Sequence, residues 1–296
     1  MTSNSAFSFL GLPPPYSDFK KSKFVILPVP YEQTTTFKTG TKNGPQAIIS
    51  ASREVELFDE ELEFEPHTIG IATLQDMEVT ALGPEKMSQR IYQTAKKLVS
   101  QNKFVIMLGG EHSITYGLVK AYQKKYKDLT VLQLDAHADL RESYQDNKFS
   151  HACAMKRVWE ICPVVGVGIR NLSEAEFRFV KQKKINLFYA RDLQNYGTYY
   201  DEIVNSLSNN VFLTFDLDYF DPSIMPAVGT PEPGGLYWYE TLELLKKVIQ
   251  KKNLVGFDVV ELSPLPGNVA PDFLAAKLIY KLISYQVAKQ KKLLKN

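Results

Sequence analysis

Acids and histidines recur in this sequence at short spacings directly after apolar runs. Gly109-Gly110-Glu111-His112-Ser113 follows one run and Asp135-Ala136-His137-Ala138-Asp139 a second. Asp216-Leu217-Asp218 follows a third, and Glu261 closes a fourth. Asp135, His137 and Asp139 stand at i, i+2 and i+4, so a backbone that stays extended sets them on one face; Asp216 and Asp218 repeat the device. Carboxylates placed straight after apolar segments are costly to desolvate unless something pairs with them. Arg141 is the obvious basic residue nearby. Two divalent ions would set four positive charges against those of Asp135, Asp139, Asp216 and Asp218. A mixed carboxylate and imidazole set suits Mn²⁺, with Fe, Co, Ni and Zn chemically possible.

Each motif alone is weak. An Asp-x-Asp after a strand is commonly a turn or a helix cap, and paired glycines often just make a tight turn. The conjunction carries the argument. Of the 4 histidines, His112, His137 and His151 sit in or beside the acidic clusters, while His67 follows Pro66 in an acidic loop and receives no role. Two cations roughly 3.5–4 Å apart can lower the pKa of a shared water enough to make it a nucleophile at neutral pH.

Such residues need elements to position them. Short β-branched apolar runs at 24–28, 68–72, 104–108, 130–135, 164–168, 186–189, 211–215 and 255–260 read as strands covered on both faces. Segments 45–57, 85–100, 114–124, 237–252 and 270–288 place apolar residues three and four apart, the spacing of helices. Alternation of this kind predicts an α/β fold with a mostly parallel sheet. In such sheets ligands bind beyond the carboxyl ends of the strands, where these acids fall.

Composition narrows the rest. The 296 residues are 44% hydrophobic and 23% charged, with no Gly/Ser linker or low-complexity tract, which predicts one domain over 1–296. A net charge of +2 gives no field that would call for a nucleic-acid or membrane partner. The lysine-rich stretch 289–295 reads as a solvated helix end. Residues 1–10 lack the basic and apolar parts of a signal peptide, and no apolar run approaches the roughly 18 residues needed to span a bilayer. Cys153 and Cys162 are expected to be reduced, in a cytoplasmic protein.

The three motifs, with Phe215-Asp216-Leu217-Asp218-Tyr219-Phe220-Asp221-Pro222 for the third, resemble the metal-binding signatures of the ureohydrolase family, which includes arginases and agmatinases. The similarity runs from Pro30-Tyr31-Glu32 to Leu274-Ala275-Ala276-Lys277. It implies a three-layer α/β/α fold with a mainly parallel eight-stranded sheet, two Mn²⁺ ions and a trimer or hexamer. Carried over, it makes His112, Asp135, Asp139 and Asp216 ligands of one ion and Asp135, His137, Asp216 and Asp218 ligands of the other. Glu261, in Asp258-Val259-Val260-Glu261-Leu262-Ser263-Pro264, matches the glutamate that holds a guanidinium. His151, in Ser150-His151-Ala152, matches the proton-shuttling histidine, and an imidazole titrates near neutral pH.

Thr230-Pro231-Glu232-Pro233-Gly234-Gly235 and Leu140-Arg141-Glu142-Ser143-Tyr144 are similar to the agmatinase branch, which implies agmatine as substrate, with putrescine and urea as products. Val228 and Cys153 depart from common agmatinase forms near the pocket. Competing readings are arginase, guanidinobutyrase, formimidoylglutamase and a metal-binding scaffold without turnover. A two-metal phosphatase would want positive groups for phosphate where this chain supplies carboxylates.

Overall fold

Strand and helix alternate along the chain as the apolar spacing predicts. A computed structural model describes residues 7–193 and 199–294. The strands are β1 (Phe24–Val29), β2 (Ile71–Thr73), β3 (Phe104–Gly109), β4 (Leu129–Leu134), β5 (Val164–Ile169), β6 (Asn186–Tyr189), β7 (Asn210–Asp216) and β8 (Asn253–Val260). They form one 8-stranded sheet in the order β2-β1-β3-β8-β7-β4-β5-β6, with every pairing parallel.

The helices are α1 (Gly44–Ser52), α2 (Pro84–Ser100), α3 (Thr115–Lys125), α4 (Ala154–Trp159), α5 (Glu174–Lys183), α6 (Tyr200–Asn205), α7 (Trp238–Lys251) and α8 (Ala270–Gln290). Alternate residues of each strand feed opposite cores. Phe24, Ile26, Ile106, Leu132, Leu213 and Phe257 pack with α1, α6, α7 and α8. Val25, Leu27, Val105, Met107, Val131 and Phe212 pack with α2, α3, α4 and α5. The result is three layers, helices on both faces of a buried sheet.

Three differences from the sequence reading have local causes. The run at 68–72 is not one strand: Pro66–Ile69 is a 3₁₀ turn, and β2 begins only after Gly70, whose φ of +87° turns the chain. The first helix stops at Ser52 rather than 57, because the Arg53 N–H turns back to Ser50 and Ala51 carbonyls. The short α4 and α6 were not expected, nor was α5, although Ser173 and Glu176 form a reciprocal capping box at its start. The basic tail meets expectation as far as Lys291 and Lys292; Lys295 and residues 1–6 lie outside the described residues.

Register is what positions the site. Leu108 lies beside Val259, Phe215 beside Val259, and Leu134 beside Phe215. The neighbouring strands β3, β8, β7 and β4 therefore end in step at the middle of the sheet, and their next residues share one edge.

Candidate active site

Each strand end turns sharply to present its polar group. After β3, Gly110 passes so close to Tyr31 that a Cβ would sit 2.0 Å from its carbonyl oxygen, which only glycine allows. The chain then enters the turn His112–Ile114. After β7, the Asp216 side chain accepts from the Asp218 N–H at 2.9 Å and caps the turn Leu217–Tyr219. After β4, Asp135 accepts from the His137 N–H at 2.6 Å. Asp139 has a φ of +52°, so the backbone does not stay extended through the motif. The shared face predicted from i, i+2, i+4 spacing is made by turns instead. Glu261, at the end of β8, also sits in left-handed backbone (φ +68°), held because its N–H donates to Gly110 O at 2.8 Å.

These turns bring the histidines and aspartates together. His112 Nδ1 lies 3.2 Å from Asp135 Oδ2, 3.1 Å from Asp139 Oδ2 and 3.4 Å from Asp216 Oδ2. His137 Nδ1 lies 2.8 Å from Asp218 Oδ2 and 3.7 Å from Asp135 Oδ1. Among the described residues, His112, Asp135 and Asp139 converge on one point and Asp135, His137 and Asp218 on another, with Asp135 common to both. Asp216 stands beside the first group without joining either.

The His112 ring shows what these points suit. Its Nε2 faces Thr214 Oγ1 at 2.9 Å, and the Thr214 hydroxyl donates to Asp258 Oδ1 at 2.6 Å. Thr214 therefore accepts from Nε2–H, and Nδ1 is the nitrogen turned towards the acids. That nitrogen is buried and makes no hydrogen bond, although three carboxylate oxygens surround it. Burial opposes charge on this ring, but Asp135, Asp139 and Asp216 outweigh it and raise its pKa well above the imidazole value; a cation placed between them would compete with that proton for the same nitrogen.

The titration behaviour points the same way. Burial, with repulsion from Asp218, pushes Asp135 up to about 7. Burial and repulsion from Asp218 and Asp135 raise Asp216 well above the carboxylate range. Burial opposes charge on His137, but Asp218 outweighs it and holds the ring up to about 11, while His137 in turn draws Asp218 down to about 2 against its burial. Protons gather where positive charge is wanted, and a divalent ion would compete for the same atoms.

The edge opens into a cavity of about 200 Å³ walled by His137, Asp139, Asp216, Asp218, His151 and Glu261. Glu261 Oε1 accepts from the His112 N–H at 2.7 Å. Burial, reinforced by Glu111 and Asp218, pushes its pKa up to about 8. His151 lines the same cavity, and burial lowers its pKa below the ordinary imidazole value. Every site residue expected from the sequence thus reaches this one edge.

The basic residues do not neutralise it. Arg141 Nε is 3.7 Å from Glu176 and its guanidinium lies over Tyr144. Arg170, which the sequence did not suggest, donates to the backbone carbonyls of Gly168, Asp218, Tyr219, Phe220 and Glu232. It pins the Asp218 turn to the end of β5. Also missed were Glu32, which gathers Gly40, Thr41 and Lys42, Thr34 and Thr36, which meet the His151 ring, and Glu111, which holds Thr34. Glu111 stood inside a recognised motif without a role, and the others lie in a loop with no chemical pattern of its own. Both cysteines are free and buried.

Comparison with known proteins agrees over the whole of this architecture. A family model described as the arginase family matches residues 22–284. The N(1)-aminopropylagmatine ureohydrolase of Synechocystis is 38% identical, covering 93% of this chain and 93% of that protein. The agmatinase of Pyrococcus horikoshii is 34% identical over 91% of this chain and 94% of its own. The crystal structure of agmatine ureohydrolase from Thermoplasma volcanium superposes with a TM-score of 0.87 at 32% identity, covering 97% of both chains.

Proposed function

The chain belongs to the arginase family, and from that premise we propose that it hydrolyses agmatine to putrescine and urea with two divalent metal ions. The observation that carries this reading is the buried, unbonded Nδ1 of His112 facing Asp135, Asp139 and Asp216, beside the pocket that Glu261 lines. His112, Asp135, Asp139 and Asp216 would hold one ion, and Asp135, His137, Asp216 and Asp218 the other, with Asp135 and Asp216 shared. The oxygen and imidazole donors suit Mn²⁺. When bound, the ions would supply a water activated for attack at neutral pH.

The chain's own groups do the rest. Glu261 takes the substrate's guanidinium by a charge-assisted contact and turns its carbon towards the ion pair. A cation beside Glu261 restores the ionised form that burial disfavours. His151, whose pKa burial lowers, takes up a proton released by the attacking water and hands it to the departing amine nitrogen. The cavity walls hold both groups within one small volume, so the guanidinium is oriented before a proton moves.

A second reading is favoured by relatives named for N(1)-aminopropylagmatine, among them the Synechocystis protein. That molecule presents the same guanidine, so only the pocket wall can tell the two apart. Glu232, held by Asn171 Nδ2 and 3.8 Å from His137 Nε2, is a carboxylate on that wall that would meet a further ammonium. Lys38 and Arg141 also line it, so arginine and guanidinobutyrate belong in the test.

Urea release from agmatine, N(1)-aminopropylagmatine, arginine and guanidinobutyrate, with metal content measured on the same sample, decides. Agmatine should give the highest kcat/KM, with two metals per chain. A preference for the aminopropyl compound selects the second reading, and a preference for arginine overturns both. The family resemblance further implies a trimer or hexamer, to be checked by sedimentation; cytoplasmic placement is to be checked by localisation of a tagged chain. Among the described residues no helix is long and apolar enough to cross a membrane.

A further inference from the structure

The surroundings of His151 hold a hydrogen-bond chain whose arithmetic closes. Glu111 is fully buried and its carboxylate is saturated. Oε2 accepts from the Gln33 and Thr34 N–H groups, both at 2.6 Å, and Oε1 accepts from Ser113 Oγ at 2.6 Å and Thr34 Oγ1 at 2.8 Å. Four acceptor positions are filled, which leaves none for a proton of its own.

The single hydroxyl proton of Thr34 is therefore committed to Glu111, a charge-assisted bond that outranks a neutral one. Thr34 Oγ1 can then only accept from its other neighbours. One is the His151 backbone N–H at 3.0 Å, and the other is the His151 ring at Nδ1, 3.1 Å away. Nδ1 must carry hydrogen, since a bare nitrogen would set lone pair against lone pair. Ser150 Oγ, 3.3 Å from Nδ1, fits as a second, weaker acceptor. Nε2 is then the free nitrogen, and it meets Thr36 Oγ1 at 3.0 Å, on a side chain exposed at the pocket wall.

We propose that Thr34, fixed by Glu111, is a positioning residue that locks His151 in the Nδ1–H tautomer and so makes Nε2 the atom that handles the proton. The kinetic half of this inference rests on the reading of His151 as the proton carrier; the tautomer itself does not. Thr34 is not among the residues that line the cavity, and it acts through the His151 ring. Thr36 shields Nε2 in the resting state as a donor, and its hydroxyl can turn to accept once Nε2 is protonated.

Ring ¹⁵N NMR of the zinc-loaded protein tests the tautomer directly. With 4 histidines in the chain, His151→Gln identifies the His151 signals by their loss. The parent should show Nδ1–H and an unprotonated Nε2, and Thr34→Val should mix the tautomers. An Nε2–H tautomer in the parent overturns the proposal whatever the variants do. In manganese-loaded enzyme, Thr34→Val should lower kcat on the order of 10- to 100-fold, the lower part of the range for a positioned acid or base. KM and metal content should stay near parental, and Thr34→Ser should restore kcat, which loss of mere packing would not.

His151→Ala separates the two ideas. A loss of about 10²–10⁴-fold with metal retained upholds His151 as proton carrier. Parental kcat in Thr34→Val beside that loss overturns the role of Thr34 alone. Full activity in His151→Ala overturns the role of His151 and the kinetic half of the proposal with it, while the NMR result still decides the tautomer.

Discussion

Among the described residues, acids gather at the carboxyl edge of the sheet and again beneath α8. In the second, Asp59 is 1% exposed and Lys281, from α8, is equally buried. Lys281 Nζ donates to Asp59 at 2.9 Å and to Glu61 at 2.8 Å, while Lys246 and Tyr285 reach Glu61 at 2.7 and 2.6 Å. These acids met their cations when the chain folded. At the sheet edge, the cationic partners of Asp135, Asp139, Asp216 and Asp218 among the described residues are imidazoles, and the nearby arginines are turned to Glu176 and to backbone carbonyls. Acids that meet a buried lysine hold a loop to a helix. Buried acids without one are kept for a cation that arrives from solution.

The sharpest way to break this contrast is to remove one acid from the edge. Asp216→Asn should drop urea release to background and lower bound metal with it. The metal-free variant should be no less stable than metal-free parent, because burial and like charges already make the Asp216 carboxylate costly. Metal analysis and chemical denaturation of stripped protein check both halves. Full metal occupancy with parental turnover would remove Asp216 from the site.

Under α8 the same logic predicts the reverse. Lys281→Met leaves Asp59 buried and unpaired, a change that costs about 3–5 kcal/mol. Melting temperature should fall markedly while metal content and kcat of the folded fraction stay parental. A variant that loses metal but keeps its melting temperature would mean that the two clusters are not independent.

A smaller effect is expected at the group that holds the substrate. Glu261→Gln keeps the shape and the acceptor for His112 N–H but removes the charge. Steady-state kinetics should show kcat/KM and kcat both down, on the order of 100-fold, with two metals still bound. Unchanged agmatine kinetics would take the guanidinium from Glu261.

The edge cluster was legible in the sequence because strands and turns are local. Each acid follows its own apolar run, and parallel register then brings the ends of β3, β8, β7 and β4 into step. The cluster under α8 was not. The stretch 58–65 belongs to the acidic loop before His67, and the lysine that gives it meaning lies 222 residues from Asp59. Thr34 and Glu111 stayed unread for the same reason, being 77 residues apart with no pattern that joins them. The short α4 and α6 carry too few turns for periodicity to register. Asp139 shows the limit within a motif, since spacing found the residue but not its left-handed backbone.

The smallest effect separates the clusters by the sign of their response to acid. Glu61 has its pKa lowered to about 2, since hydrogen bonds from Lys246, Lys281 and Tyr285 outweigh its burial. A depressed folded pKa contributes stability that is fully present above the unfolded value, roughly 4.3, and is lost as pH falls through the folded one. Its side chain is 34% exposed, so solvent screening leaves only about 1 kcal/mol of this. Asp135, pushed up to about 7, acts oppositely in stripped protein: its ionised form costs stability, and the cost is relieved as pH falls from 7 towards 4. Metal-free parent should therefore hold or gain stability between pH 7 and pH 5, before Glu61 begins to titrate. Below pH 4.5 the difference between parent and Glu61→Gln should shrink and be nearly gone at pH 2. Denaturant midpoints across that range give both windows. A parent-to-Glu61→Gln difference that stays constant from pH 6 to pH 2.5 would show that the lysines do not hold Glu61 ionised, and the contrast between the clusters would lose its charge basis.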